Sequence, residues 1–217
     1  MTRNKYYEEM KELARQIRGE HGLTTPQVRK SDIRRIYKAY NIKCDLWPLK
    51  DAPPTVKFKK LRGTFFYDEC GATIMVNRSL PEAPALFTMC HELKHYLVDR
   101  DLRSLVCADY NQTEEIEVGA EVFAAEMLFP DEDFINGLVQ MGVKEGECTA
   151  EDLVRLKHAM QATISYAGME KKAEFLGFVS YGSLKNVKWT KLEEQMYGVP
   201  VYKQFQRQRK QAKELTR

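Results

Sequence analysis

His91-Glu92-Leu93-Lys94-His95 is the stretch that decides how this chain folds, because it asks for a helix with two imidazoles on one face. The histidines are four residues apart, so on a helix their rings stand one turn above each other. Two ring nitrogens placed that way can reach a single metal ion at about 2.0–2.1 Å. Glu92 stands one residue round from His91, near enough to hold a water on the metal without binding the metal itself.

The surroundings support a helix. Pro84 suits the first helical position, where its missing N–H costs nothing. From there Ala85, Leu86, Phe87, Met89, Cys90, Leu93, Tyr96 and Leu97 enclose the motif on almost every side, and a helix apolar nearly all round is expected to be buried. Buried imidazoles need partners, and a metal supplies one. H-E-x-x-H in a helix is also the pattern of zinc peptidases.

A catalytic zinc takes three protein ligands and leaves a fourth position to water. Two routes to the third ligand are open. One continues along the same segment, where H-x-x-G-x-x-H spacing would place Val98 at the glycine and Asp101 at the ligand, without the glycine that turns the chain back. The other lies on a second predicted helix, Thr113 to Phe129, capped by Thr113 and ended by Pro130, with an apolar stripe of Ile116, Ala120, Phe123 and Met127. Glu117 and Glu121 flank that stripe among the small residues Gly119, Ala120, Ala124 and Ala125, which allow close packing, so a carboxylate there can cross to a facing helix.

These two segments resemble the ImmA/IrrE metallopeptidases. The resemblance is carried by Phe87-Thr88-Met89-Cys90-His91-Glu92-Leu93-Lys94-His95 and by Glu117-Val118-Gly119-Ala120-Glu121-Val122-Phe123-Ala124-Ala125-Glu126-Met127-Leu128-Phe129-Pro130. Upstream, residues 61–67 and 72–77 resemble the hairpin before the catalytic helix, and the likeness extends over roughly residues 5 to 180. It implies a gluzincin-like site: Zn2+ on His91, His95 and Glu117, Glu92 as general base, and Glu121 behind the ligands. It further implies a regulatory endopeptidase of the cytoplasm whose substrate is a helix-turn-helix repressor on a phage-like or mobile element. In such peptidases an edge strand above the zinc pairs with extended substrate, which points to an exposed edge at one of the two hairpin strands, Arg62–Tyr67 or, by preference, Ala72–Asn77, and to Thr73, Ile74 and Met75 as substrate-binding residues. Three positions depart from the family pattern: Lys94 for glycine, Gly119 for glutamate, and Glu121 for asparagine or aspartate. Lys94 suggests that its helix face opens to solvent or substrate.

Composition sets outer bounds. At 217 residues the chain can form one domain with a small appendage, and its 34 Lys+Arg against 31 Asp+Glu leave a net charge of +3, too small to argue for nucleic acid. No apolar run approaches a membrane span, and Met1-Thr2-Arg3-Asn4-Lys5 opens no signal peptide. Five isolated cysteines, odd in number, suit reduced thiols of the cytoplasm, with Cys90 either a redox thiol or a small core residue.

The remaining pattern gives an α+β order: a small antiparallel or mixed sheet packed on helices, with a zincin-like core over 1–130, a helical subdomain over 131–180 and a basic tail over 181–217. Tyr6, Met10, Leu13 and Ile17 form a first helical stripe, Ser31 caps a second helix, and Asp68-Glu69-Cys70-Gly71 marks a hairpin. A weak strand is expected at Phe178–Tyr181. Lys203 to Arg217 is strongly basic, suited to nucleic acid or to a solvated terminus. A competing reading is a DNA-binding or antirepressor protein with structural zinc, its helix-turn-helix formed by 153–160 and 164–176 and exposing Ser165, Lys171 and Lys172.

Overall fold

The stripe of Tyr6, Met10, Leu13 and Ile17 opens the structure, a computed structural model that describes residues 3–47, 62–100 and 110–199. It lies on α1 (Arg3–Glu20), which buries Met10, Ala14 and Ile17. A left-handed Gly22 (φ +67°) ends the helix: Leu23 N–H donates to Arg18 O at 2.8 Å and Gly22 N–H to Gly19 O at 3.2 Å. That is the paired closure a C-terminal glycine permits. Next comes α2 (Lys30–Ala39). Ser31 lies inside it, and the Asp32 carboxylate instead accepts the Arg29 N–H at 2.9 Å, closing the first turn from the third helical position.

Three strands follow, β1 (Lys43–Trp47), β2 (Gly63–Asp68) and β3 (Gly71–Asn77), in the order β1-β3-β2. The hairpin turn is as the sequence predicts, with Gly71 at φ +100° and Asp68 Oδ1 accepting the Cys70 N–H at 2.8 Å. β3 is antiparallel to β2 (Thr64 opposite Met75) and parallel to β1 (Lys43 opposite Thr73). The expected exposed edge at Ala72–Asn77 is therefore corrected. With a partner on each side, the backbone of Thr73, Ile74 and Met75 is committed to the sheet and cannot pair with substrate. Alternate residues Ala72, Ile74 and Val76 are buried, as period-2 alternation requires.

The helices α3 (Glu82–Lys94) and α4 (Tyr110–Leu128) pack against each other, with α1 packed along α4 and β3 against α3. Helix α3 starts two residues before Pro84, which still falls in the first turn, where no N–H is needed. It buries Ala85, Leu86, Met89, Cys90 and Leu93. Helix α4 begins at Tyr110, so Thr113 lies within it and is not its cap. The short helices α5 (Asp131–Gln140), α6 (Ala150–Ala159) and α7 (Tyr166–Phe175) share the same buried cluster, which runs from Met10 to Val179.

The strand expected at Phe178–Tyr181 does not form. Phe178 and Val179 are buried as irregular chain, tied to the loop before α6 by Cys148 N–H to Phe178 O at 3.1 Å. Inside the stretch read as a tail, Trp189–Tyr197 forms α8, stacked on α6 and α7 through Trp189 on Tyr166 and Tyr197 on His158. Residues Lys203 to Arg217 lie outside the described residues.

Candidate metal centre

His91 comes from the last full turn of α3, and His95 begins a five-residue π turn, His95–Asp99, that continues the helix. Such turns are rare and re-aim side chains relative to an α-helix. Glu117 reaches across from α4. His91 Nε2 lies 3.1 Å from His95 Nε2 and 3.2 Å from Glu117 Oε2, while His95 Nε2 lies 3.6 Å from Glu117 Oε1. Donors bound at 2.0–2.1 Å in a tetrahedral shell stand about 3.3 Å apart, so the two imidazole nitrogens already sit near ligand spacing, and each lies near that distance from one oxygen of the Glu117 carboxylate. The donor set, two imidazoles and one carboxylate, also suits zinc.

The ring orientation fits as well. His95 Nδ1 lies 2.7 Å from Asp99 Oδ2. A carboxylate only accepts, so Nδ1 carries the proton and Nε2 keeps its lone pair toward the convergence point. The imidazoles are mostly enclosed, whereas the Glu117 side chain is 54% exposed, so the centre opens to solvent on the α4 side. The hydrogen bond from His91 holds the Glu117 carboxyl below its ordinary value; burial opposes this, and His95, His91 and Lys94 reinforce it.

Glu92 is buried (7% exposed) beside the convergence point. Burial pushes its carboxyl above the ordinary value, charge on His91 and His95 works against the rise, and Glu117 adds to it. Strand β2 presses close here: a Cβ on Gly63 would collide with Thr88 Cγ2 and lie 3.1 Å from Glu92 Oε1. The edge strand beside Glu92 is thus β2, which pairs only with β3 among the described residues.

The family model of the IrrE N-terminal-like domain, a peptidase family, matches residues 54–165, just over half of the chain. This chain belongs to that family. Comparison with curated proteins finds no match. The match covers β2, β3, α3 and α4, and so contains Glu92, His91, His95 and Glu117, all placed together by the fold. Asp101, the other route to a third ligand, lies outside the described residues.

Two positions differ from what the sequence suggests. Glu121 is half exposed and faces Lys171 Nζ at 3.6 Å rather than the imidazoles, one turn too far along α4 to support them. The face of α3 at Lys94 is not open: Lys94 is 0% exposed, enclosed by Asp99, Ile116 and Tyr6. Burial lowers the Lys94 ammonium from its usual range, with Asp99 and Glu117 opposing. Asp99 is the residue that sequence reasoning missed. The available signal was a carboxylate four residues after His95, the spacing at which helical side chains meet. Cys90 is a core residue, its thiol pushed up to about 12 by burial, with Arg18 opposing.

Proposed function

We propose that the chain is a zinc-dependent endopeptidase in which His91, His95 and Glu117 hold the metal and Glu92 is the general base. The observation that carries this is the convergence of Nε2, Nε2 and a carboxylate oxygen, mutually within 4.8 Å, beside a buried glutamate. When bound, zinc supplies the Lewis acidity that polarises a scissile carbonyl and acidifies water. Glu92 takes the proton of the attacking water and passes it to the leaving amine nitrogen. Its raised proton affinity suits both halves of that transfer.

The substrate we infer is an extended segment of a helix-turn-helix repressor from a phage-like or mobile element. The family resemblance supports that choice of protein. The position of β2 supports the extended form, because β2 pairs with one strand alone among the described residues and a sheet edge can take up an added strand through backbone hydrogen bonds. Free thiols at Cys44, Cys70, Cys90 and Cys148 support a reducing compartment, the cytoplasm. No helix among the described residues is long and apolar enough to cross a membrane.

The DNA-binding alternative is weakened at its recognition face. Helices α6 and α7 do form, but Lys172 is 6% exposed and held by Glu126 and Asp131, and Lys171 faces Glu121. That leaves the exposed Lys171, itself beside a carboxylate, as the one lysine of the expected face that a phosphate backbone could reach.

The test is cleavage of candidate helix-turn-helix repressors by wild type and by Glu92→Gln. The amide cannot accept a proton, so the variant is expected to fold and lose about 10²–10⁴-fold in rate. Cleavage at the wild-type rate by Glu92→Gln would overturn the proposal.

A further inference from the structure

Lys94 takes no part in the chemistry above, yet its ammonium is wholly enclosed. A buried ammonium is tolerated only when its N–H groups find partners. Three surround this one: Asp99 Oδ2 at 2.7 Å, the Ile116 carbonyl oxygen at 3.1 Å, and the Tyr6 ring, whose centroid is 5.5 Å away. Two of the three lead to the metal centre. The same Asp99 oxygen accepts the N–H of His95 Nδ1, and Ile116 is the backbone neighbour of Glu117.

The arrangement depends on two features of the fold. On an α-helix, residues five apart stand about 140° apart around the axis, so Lys94 and Asp99 would diverge. The π turn brings Asp99 over Lys94 and His95 together. The lid over Lys94 depends on Gly119, where a Cβ would fall 2.5 Å from Tyr6 Cε1 and 2.7 Å from its hydroxyl oxygen. Lys94, Asp99, Tyr6 and Gly119 thus form one unit, contributed by α1, α3, the π turn and α4.

We propose that Lys94 is a positioning residue for the metal centre. Its ammonium fixes Asp99, so that His95 is held as the Nδ1–H tautomer, and it fixes the α4 backbone at Ile116, so that Glu117 meets the imidazoles. This rests on the metal-centre reading above. A lysine placed only to fill space or to join two helices would leave ligand orientation indifferent to its loss.

The experiment uses the full chain carrying Lys94→Met, which keeps most of the apolar stem and removes the donors. Zinc affinity is read by competition with a chromophoric chelator, folding by circular dichroism, and the His95 tautomer by ¹⁵N NMR of metal-free protein. Loss of a group that orients a ligand typically weakens metal binding about 10–100-fold, and that is the expected shift. Asp99→Asn should weaken binding similarly, and the double variant by clearly less than the product of the two, because both act on one connection. Wild type should show His95 as a single Nδ1–H tautomer, and Lys94→Met a mixture.

Zinc affinity unchanged in Lys94→Met, or losses that multiply in the double variant, would overturn the proposal. Should Lys94→Met not fold, Asp99→Asn decides, and wild-type affinity in that variant overturns it. A wild-type protein that takes up no zinc would remove the metal reading instead. The His95 tautomer would then judge the brace alone, an unchanged tautomer in the variants counting against it.

Discussion

Lys94 and Lys172 both end their side chains inside the protein, and the two burials serve different ends. Lys172 sits between Asp131 and Glu126 Oε2 (3.4 Å), whose other oxygens take Lys11 (2.8 Å) and Arg15 (3.0 Å). That cluster ties α7 to α1, α4 and α5, and every bond in it ends on another part of the scaffold. Lys94 is held by one carboxylate, and the next bond along is to His95. A buried ion pair is by itself weak evidence of function, because desolvation offsets much of its attraction. What separates the two clusters is where the chain of hydrogen bonds leads.

Lys172→Met should produce the largest change in stability. It leaves Glu126 and Asp131 with fewer cations in a dry site, and breaking a buried pair typically costs about 3 kcal/mol or more. Urea unfolding should show that loss, with zinc uptake unchanged in the folded protein. If Lys172→Met weakened zinc binding as much as Lys94→Met, the contrast between the clusters would fail.

Gly119→Ala sharpens the comparison from the other side. Its Cβ meets the Tyr6 ring, and overpacking of this kind typically costs about 1–3 kcal/mol, reduced by the better helix propensity of alanine. Because Tyr6 covers Lys94, zinc affinity should fall as well. Gly137→Ala on α5 would meet Leu156 instead, and should destabilise the fold while leaving zinc affinity intact.

The smallest effect is one of pH. Burial alone would raise the Asp131 carboxyl, but Lys172 and Lys11 hold it below its ordinary value. A depressed carboxyl contributes stability above its unfolded value of about 3.9, and that contribution is lost as pH falls through the folded value. Thermal melts of wild type from pH 7 down to pH 2 should therefore fall more steeply at the acid end than those of Asp131→Asn. Equal slopes would show that the Lys172 cluster does not retain its charge on Asp131.

What the sequence disclosed followed the range of the interactions. His91, Glu92 and His95 follow from spacing within one helical turn, whereas the small residues of α4 left both Glu117 and Glu121 open and only the family resemblance singled out Glu117. The central position of β3 was not legible, because it depends on a parallel pairing of Lys43–Trp47 with Thr73–Asn77 across a long connection. The burial of Lys94 was hidden for a similar reason: a lone lysine on a helix reads as solvated until Tyr6, from the other end of the chain, closes over it. Ser31 and Thr113 are good caps by residue type, yet Asp32 and the earlier start of α4 override them. The apolar run at Phe178–Val179 signalled burial correctly but not its form, since no neighbouring strand is placed to pair with it among the described residues.

The central claim is that His91, His95 and Glu117 hold one metal ion beside a base that does not bind it. Elemental analysis of the purified chain tests it most directly. About one zinc per chain is expected in wild type and in Glu92→Gln, and a sharply reduced content in His95→Ala and Glu117→Ala. Full zinc in Glu117→Ala, or loss of zinc in Glu92→Gln with the fold intact, would contradict the account.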